Sequence, residues 1–545
     1  MLSTMKKFNT AGPSVAGMHF MIDPLARIDI ENIESLIEDQ RYFVLHAPRQ
    51  TGKTTCLLAL MQHLNTQGRY RALYVNIEAA QAARGDVDRG MEAIVGALAS
   101  ATQVYWHDQP LADWTRQHLR HSTARTDVLR SVLEHWSQTD GQQPSHPRPV
   151  VLLLDEVDAL VGDTLISLLR QIRAGYAQRP HAFPQTIILC GVRDVRDYRI
   201  HTAHNEVITG GSAFNIKAKS LRLGNLNRDE TLALWRQHEV ETGQQVDPAI
   251  WPELWADTEG QPWLVNALGY ECTWEDKSAR DRSTPITLER YKAARERLIY
   301  SRTTHLDALS DKLREPRVNR IVADVLASDD RQSQSSQYPS DDQEYVADLG
   351  LIATRPQVRI ANRIYREVIP RELTWVTQTR ITHDQAWYVT PQRKLDMPKL
   401  LAAFQQFFRE HSDAWIDGFS FKEAGPQLLM QAFLQRIVNG GGRINREYGL
   451  GRKRTDLFIE WPLDEAQGYF GPVQRVVLEL KLWKKGSLDA VLAEGLPQTV
   501  DYARQCGADE AHLIVFDRRP DSPWDARIWQ REATEQGWML GVWGA

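Results

Sequence analysis

APRQTGKTT, residues 47–55, decides how this chain is read, because an apolar strand runs into it and an amphipathic helix runs out of it. Backbone N–H groups at such a strand-to-helix turn converge on phosphate oxygens, helped by the positive end of the helix. Gly52 lets the backbone come close, Lys53 reaches the β- and γ-phosphates, and the Thr54 hydroxyl is placed to coordinate Mg2+. Pro48, Arg49, Gln50, Thr51 and Thr55 complete the expected nucleotide-binding loop. Ala47 stands where such loops usually begin with glycine. The plainer alternative is a glycine-bearing turn between a strand and a helix; the buried strand before the motif and the amphipathic helix after it favour the phosphate loop.

The second half of that expectation is VVLLLDEVDAL, residues 150–160, an apolar run ending in two acids. Asp155 is expected to hold magnesium and Glu156 to polarise the attacking water, so ATP and Mg2+ are the expected cofactors. Alone, the run also reads as a buried strand that ends in solvated acids. Expected strands at 42–46, 72–77, 150–155, 186–190 and 220–223 alternate with helices, the pattern of a parallel sheet covered on both faces. Leu57, Leu60, Met61 and Leu64 share one face of the helix after the loop.

From residue 227 the character becomes helical, opening with a capping-box pair, Asn227 and Glu230, on a helix expected to run through His238. Residues 317–373 then read as helix (321–326), polar loop (331–336), helix (341–349) and two short strands (351–354, 358–361), the order of a winged helix. Its second helix carries Asp341, Asp342, Glu344 and Asp348, which repel phosphates, so a regulatory or packing role is expected rather than DNA contact. Five segments result: an ATPase core (1–225), a helical lid (226–314), a winged helix (315–375), a linker (376–394) and a carboxyl-terminal α/β domain (395–545). The fold class is therefore multidomain α/β.

Further motifs sharpen the reading. The loop, the Asp155-Glu156 strand, LCGVRDVRDYR (189–199), SAFNIKAKSLRL (212–223) and EGQPWLVNALG (259–269) together resemble the AAA-like ATPases of the STAND group, over about residues 8–373. That resemblance implies that Arg193 senses the γ-phosphate, that Pro262 of the Gly260-Gln261-Pro262 motif lies near the adenine, and that the domain works as a nucleotide switch. Taken alone, Arg193 also reads as a surface partner of Asp194 or Asp197, and Pro262 as a helix-start proline.

Near the other end, RVVLELKLW (475–483) alternates as a half-buried strand. Val476, Leu478, Leu480 and Leu482 face one side, while Val477, Glu479 and Lys481 face the other. Asp456 opens an earlier expected strand (456–461), and the turn-rich segment 462–472 allows a hairpin that sets Asp456 beside Glu479. Two carboxylates with the Leu480 carbonyl suit one or two Mg2+ ions, or Mn2+, that activate water against a phosphodiester. Lys481 is expected to position the hydroxide.

An amphipathic strand with a solvated Glu/Lys face is the alternative. Against it stand a basic run, Arg443, Arg446, Arg452, Lys453 and Arg454, within the glycine-rich stretch 440–456, and Gln498 with Tyr502 one helical turn apart. HLIVFDRR (512–519) adds a further expected strand. The arrangement resembles the PD-(D/E)XK nuclease superfamily over about residues 395–545, in the form found fused to AAA-like ATPases. It implies Asp456 and Glu479 as metal ligands, Lys481 as catalytic lysine and Gln498 as the glutamine of a Q-x-x-x-Y helix. Glu423 is the candidate for a further acid, on a first helix whose expected buried face is Met430, Phe433, Leu434 and Ile437.

The 545 residues are 25% charged and 42% hydrophobic with a net charge of −5, which argues against a protein that coats nucleic acid or membrane unspecifically. Cys56, Cys190, Cys272 and Cys506 lie far apart, as reduced structural thiols do in a cytoplasmic protein. Neither a signal peptide nor a membrane span is expected. The combined expectation is an ATP-regulated, Mg2+-dependent nuclease acting on nucleic acid, and the two resemblances imply DNA more than RNA as its substrate and a role in prokaryotic defence. A homo-oligomer or a protein trigger stays open. So do a nucleotide-gated binder that does not cut and an ATP-driven motor with Arg170, Arg173, Arg196 or Arg199 as its arginine finger.

Overall fold

The computed structural model describes residues 5–122, 125–141, 143, 145–192, 199–201, 207–209, 217–300, 312–313, 315–327, 340–373, 388–418, 430, 433–434, 442–450, 453–464, 467–483, 485–517, 519 and 522–545. The chain divides into two compact units, Met1–His305 with Pro339–Ala353 and Ala361–Arg363, and Leu306–Tyr338 with Thr354–Ile360 and Ile364–Ala545. Among the described residues no helix is long and apolar enough to cross a membrane.

In the first unit, α1 (Ile30–Glu38) leads to β1 (Tyr42–His46), α2 (Lys53–Gln67) and β2 (Arg71–Asn76). Three helices follow, α3 (Val87–Ala101), α4 (Gln109–His121) and α5 (Arg125–Gln138), before β3 (Val150–Asp155), α6 (Gly162–Ala174) and β4 (Thr186–Gly191). A short hairpin, β5 (Arg199–His201) and β6 (Val207–Thr209), precedes β7 (Lys217–Arg222). The described strands pair in the order β2-β3-β4-β1-β7, all parallel. Every residue of β1, β3 and β4 is buried, because helices cover both faces and leave no solvated side to alternate with. Ile33, Ile37, Leu57, Leu60 and Leu64 of α1 and α2 pack on one face. Ile94, Leu98, Val132, Trp136 and Leu169 of α3, α5 and α6 pack on the other.

Helices α7 (Arg228–Thr242), α8 (Ile250–Thr258), α9 (Pro262–Tyr270) and α10 (Leu288–Tyr300) form the helical segment after the sheet. The capping box is present on α7: Asn227 accepts from the Glu230 N–H and Glu230 accepts from the Asn227 N–H. The helix runs one turn past His238 and stops at Gly243, whose φ of 74° suits glycine. Then come α11 (Pro316–Ala327), α12 (Ser340–Asp348), β8 (Ile352–Ala353), β9 (Arg359–Ile360) and α13 (Arg363–Leu373). The polar loop at 331–336 lies outside the described residues.

The second unit contains a different sheet. After α14 (Met397–Gly418) come β10 (Arg443–Leu450), β11 (Lys453–Pro462) and β12 (Val473–Trp483), then α15 (Leu488–Cys506), β13 (Glu510–Asp517), β14 (Trp529–Glu535) and β15 (Trp538–Gly544). The strand order is β10-β11-β12-β13-β15-β14. β10–β11–β12 are antiparallel, whereas β12–β13 and β13–β15 are parallel. Alternation along β12 sorts its two faces as its sequence implies: Val476, Leu478 and Leu480 join Leu400, Leu401 and Phe404 of α14, while Val477 joins Val500 and Ala503 of α15. Met430, Phe433 and Leu434 are buried with the α14 cluster; Glu423 and Ile437 lie outside the described residues. The glycine-rich, basic stretch 440–456 carries a strand that its composition did not announce. Most of it is the β10–β11 hairpin, since residues 443–450 and 453–462 find ladder partners in each other.

Candidate active sites

The phosphate loop follows β1 at the carboxyl edge of the parallel sheet, where doubly wound sheets bind ligands. Gly52 caps α2 with φ +93°, a left-handed conformation, and a Cβ there would lie 2.7 Å from Arg27 Nη1. Arg27 donates to the Thr51 carbonyl at 2.6 Å and to the Gly224 carbonyl at 2.9 Å, tying the loop to the segment after β7. Thr51 donates to the Pro48 carbonyl at 2.8 Å. Lys53 is only 6% exposed, and its ammonium donates to the Ala47 and Pro48 carbonyls at 3.1 and 3.0 Å.

Thr54 Oγ1 donates to Asp155 Oδ2 across 2.8 Å, so the sequence-distant loop and acid strand meet. Asp155 is fully buried, and its Oδ1 accepts from the Glu156 N–H at 3.0 Å. Glu156 itself takes a left-handed φ of 61°, which turns its backbone out of the strand. Burial holds the Glu156 carboxyl above its ordinary range, and Asp158 and Asp155 push it the same way against the pull of Lys53. A base raised in this way accepts a proton more readily near neutral pH. An oxygen-rich set of Thr54, Asp155 and Glu156 fits a hard divalent cation.

Pro262 opens α9 and lines a cleft with Gly12, Arg27, Gln50, Gly52 and Thr55. Gly260 has φ +71°, and a Cβ on it would sit 1.8 Å from the Leu226 carbonyl oxygen. A strap from Asn9 to Ser14 also reaches this cleft, lining it with Asn9, Thr10, Ala11, Gly12 and Ser14: Trp263 donates to the Thr10 carbonyl at 2.9 Å and the Ser14 N–H donates to Thr55 Oγ1 at 3.1 Å. No motif in the sequence announces this strap or Arg27. Arg193 lies outside the described residues, and Arg49 is exposed on the loop surface. The acidic helix α12 packs beside the loop, with Asp348 Oδ2 3.7 Å from His46 Nδ1 and a Cβ on Gly350 only 2.9 Å from Pro48.

In the second unit, Glu479 and Lys481 project from β12 toward α15. Glu479 is 3% exposed, and its Oε1 lies 3.5 Å from Lys481 Nζ. Lys481 donates to Gln498 Oε1 at 2.7 Å and lies 3.4 Å from Glu494 Oε1. Gln498 in turn donates to the Tyr502 hydroxyl at 2.7 Å. Asp456 directly precedes Leu457, and Glu479 directly follows Leu478, the partner of Leu457 on the adjacent antiparallel strand. The Asp456 side chain is outside the described residues, as are those of Arg446, Lys453 and Arg454 and the whole of Arg452. Arg443 is described, with its guanidinium 3.6 Å from the Tyr469 ring centroid.

Glu494 is a residue the motifs did not single out; its i, i+4 spacing to Gln498 on one helix face was the available signal. Among the described residues no three His, Cys, Asp or Glu side chains gather as a metal centre. A buried carboxylate beside an ammonium, with a second acid position next to the last paired residue of the neighbouring strand, has the donor chemistry a magnesium ion takes.

Comparison with known proteins bears on the first unit. The family described as AAA domain matches residues 37–198. No curated protein matches the sequence. Among solved structures, a Walker-type ATPase of Pyrococcus abyssi is 15% identical with a TM-score of 0.44, covering 66% of this chain and 99% of that one. Cdc6p from Pyrobaculum aerophilum is 15% identical with a TM-score of 0.35, covering 66% and 94%. Drosophila ORC bound to DNA is 11% identical with a TM-score of 0.32, covering 67% and 95%. The match spans β1, the phosphate loop, α2 and the Asp155 strand, and the chain therefore carries a P-loop ATPase domain of the AAA type.

Proposed function

We propose that this protein is an ATP-regulated, magnesium-dependent nuclease, in which the AAA-type domain works as a STAND-like switch over phosphodiester hydrolysis by the second unit. DNA is the favoured substrate. The observation that carries the nuclease half is one row of side chains, an ion pair between Glu479 and Lys481 continued by hydrogen bonds from Lys481 to Gln498 and from Gln498 to Tyr502, which joins a sheet strand to the helix that follows it.

At the first site, Lys53 and the loop N–H groups bind the β- and γ-phosphates, and Pro262 borders the base. Thr54 and Asp155 would hold Mg2+, which neutralises charge on the phosphates when bound. Glu156 takes the proton of the attacking water, and Arg193 reads the γ-phosphate.

At the second site, Glu479 and Asp456 would hold the divalent ion, whose chemistry is to activate water and offset charge on the scissile phosphate. Lys481, oriented by Gln498, places its ammonium where negative charge develops. Tyr502 fixes the amide of Gln498 so that the oxygen faces Lys481.

The test is plasmid cleavage with Mg2+, comparing wild type with Asp456→Ala, Lys53→Ala and Glu156→Gln, with and without ATP. Cutting should vanish in Asp456→Ala and should differ from wild type in both ATPase variants. DNA retention without nicking by the wild type would make the second unit a binder. Cutting indifferent to nucleotide and to both ATPase variants would sink the switch.

A further inference from the structure

We infer that Tyr74 is a positioning residue for the magnesium-binding acid of the ATPase site, a clamp supplied by the edge strand of the sheet. The Tyr74 hydroxyl donates to Asp155 Oδ2 across 3.0 Å, on the same oxygen that accepts from Thr54 at 2.8 Å.

Sheet geometry explains the reach. Tyr74 pairs with Leu153 on the neighbouring strand, so both project to the face covered by α2. Asp155 lies two residues further along that strand, about 6.6 Å on, and shares the face. A phenol spans that distance, and shorter side chains at position 74 do not. The ring is 7% exposed, packs in the α2-side core and meets the Tyr105 ring edge-on at 6.1 Å, which leaves the hydroxyl little freedom to turn away.

The consequence concerns the Asp155 carboxylate. Both hydroxyls sit on Oδ2, while Oδ1 takes the Glu156 N–H. The Thr54 contact belongs to a residue that must also serve the metal. The Tyr74 hydroxyl also faces Asn76 and Thr54 but is not called on to serve the metal, so it keeps its hold on the carboxylate when Thr54 turns to the ion. Losing it frees the acid to rotate, and the site should then need more magnesium to reach the same occupancy of the working geometry. Binding of the nucleotide by the loop itself has no such dependence.

This inference rests on ATP hydrolysis at the site, and its experiment separates the two. Wild type must hydrolyse ATP and Lys53→Ala must not; otherwise the ATPase reading fails. Given that, Tyr74→Phe keeps the ring and removes one O–H. We expect affinity for a fluorescent ATP analogue in EDTA to stay within about twofold. The Mg2+ concentration at half-maximal turnover should rise about fivefold and kcat should fall about tenfold, the scale of one lost hydrogen bond to a charged group. A thermal midpoint measured alongside reports folding. An unchanged Mg2+ half-saturation in a folded Tyr74→Phe protein overturns the inference, whether or not kcat changes, because a merely structural role would leave the metal profile alone.

Discussion

Lys481 Nζ and Gln498 Oε1 lie 2.7 Å apart, a hydrogen bond between a strand and the next helix that also aligns the ammonium with Glu479. Gly495, on the same helix, makes room: a Cβ there would stand 3.4 Å from Lys481 Cγ and 2.9 Å from a Leu513 methyl. Three predictions follow from contacts of this kind.

Glu479 is nearly buried, so its charge relies on Lys481. Removing the ammonium alone leaves a carboxylate out of water with less compensation. Lys481→Ala should lower stability by about 2 kcal/mol, and adding Glu479→Gln should recover most of that loss. Urea unfolding of the wild type, both single variants and the double variant measures the coupling. Additive losses would mean that the pair contributes nothing to the fold.

The Glu156 carboxyl is held above its ordinary value of 4.5 mainly by burial. Its proton is bound more tightly in the folded protein, so ionising it costs stability. That cost is absent below pH 4.5, grows as pH rises through the raised value and is complete above it. Glu156→Gln should therefore bind ATP without turnover and melt higher than wild type at neutral pH, the difference disappearing in acid. The acid limb of the wild-type ATPase profile should also lie above the ordinary carboxylate range.

Gly260 has no room for a side chain against the Leu226 carbonyl, and the Leu226 N–H donates to the Gly260 carbonyl at 2.9 Å. This double contact sets where Pro262 enters the cleft. Gly260→Ala should cost about 2 kcal/mol of stability and weaken ATP binding several-fold. Thermal melts with and without Mg-ATP check both. An alanine variant with wild-type melting and affinity would show that this contact does not fix the cleft.

Much of the fold was legible because its signals are local. The apolar runs at 42–46 and 150–155 are too short for buried helices and are bounded by turn residues, which marks them as strands, and the structure places them in one parallel sheet. The alternation of 475–483 sorted β12 into an α14 face and an α15 face. The capping pair Asn227 and Glu230 named a helix start to the residue. Boundaries moved where partners decide them. β7 begins at Lys217 because β1 offers a ladder there, and the basic run 443–454 became a hairpin for the same reason.

By itself the order of residues determined the two repeating periods, the phosphate loop and the acids at the ends of strands, since each depends on neighbours a few positions away. Tertiary structure alone decided that Arg27, Tyr74 and the strap at 9–14 belong to the nucleotide site, and that Glu494 stands beside Lys481. Those contacts join residues 13 to more than 200 positions apart, where no short-range pattern constrains the pairing. They exist because sheet register and helix packing bring distant side chains to one oxygen or one ammonium, and only the folded chain contains that distance.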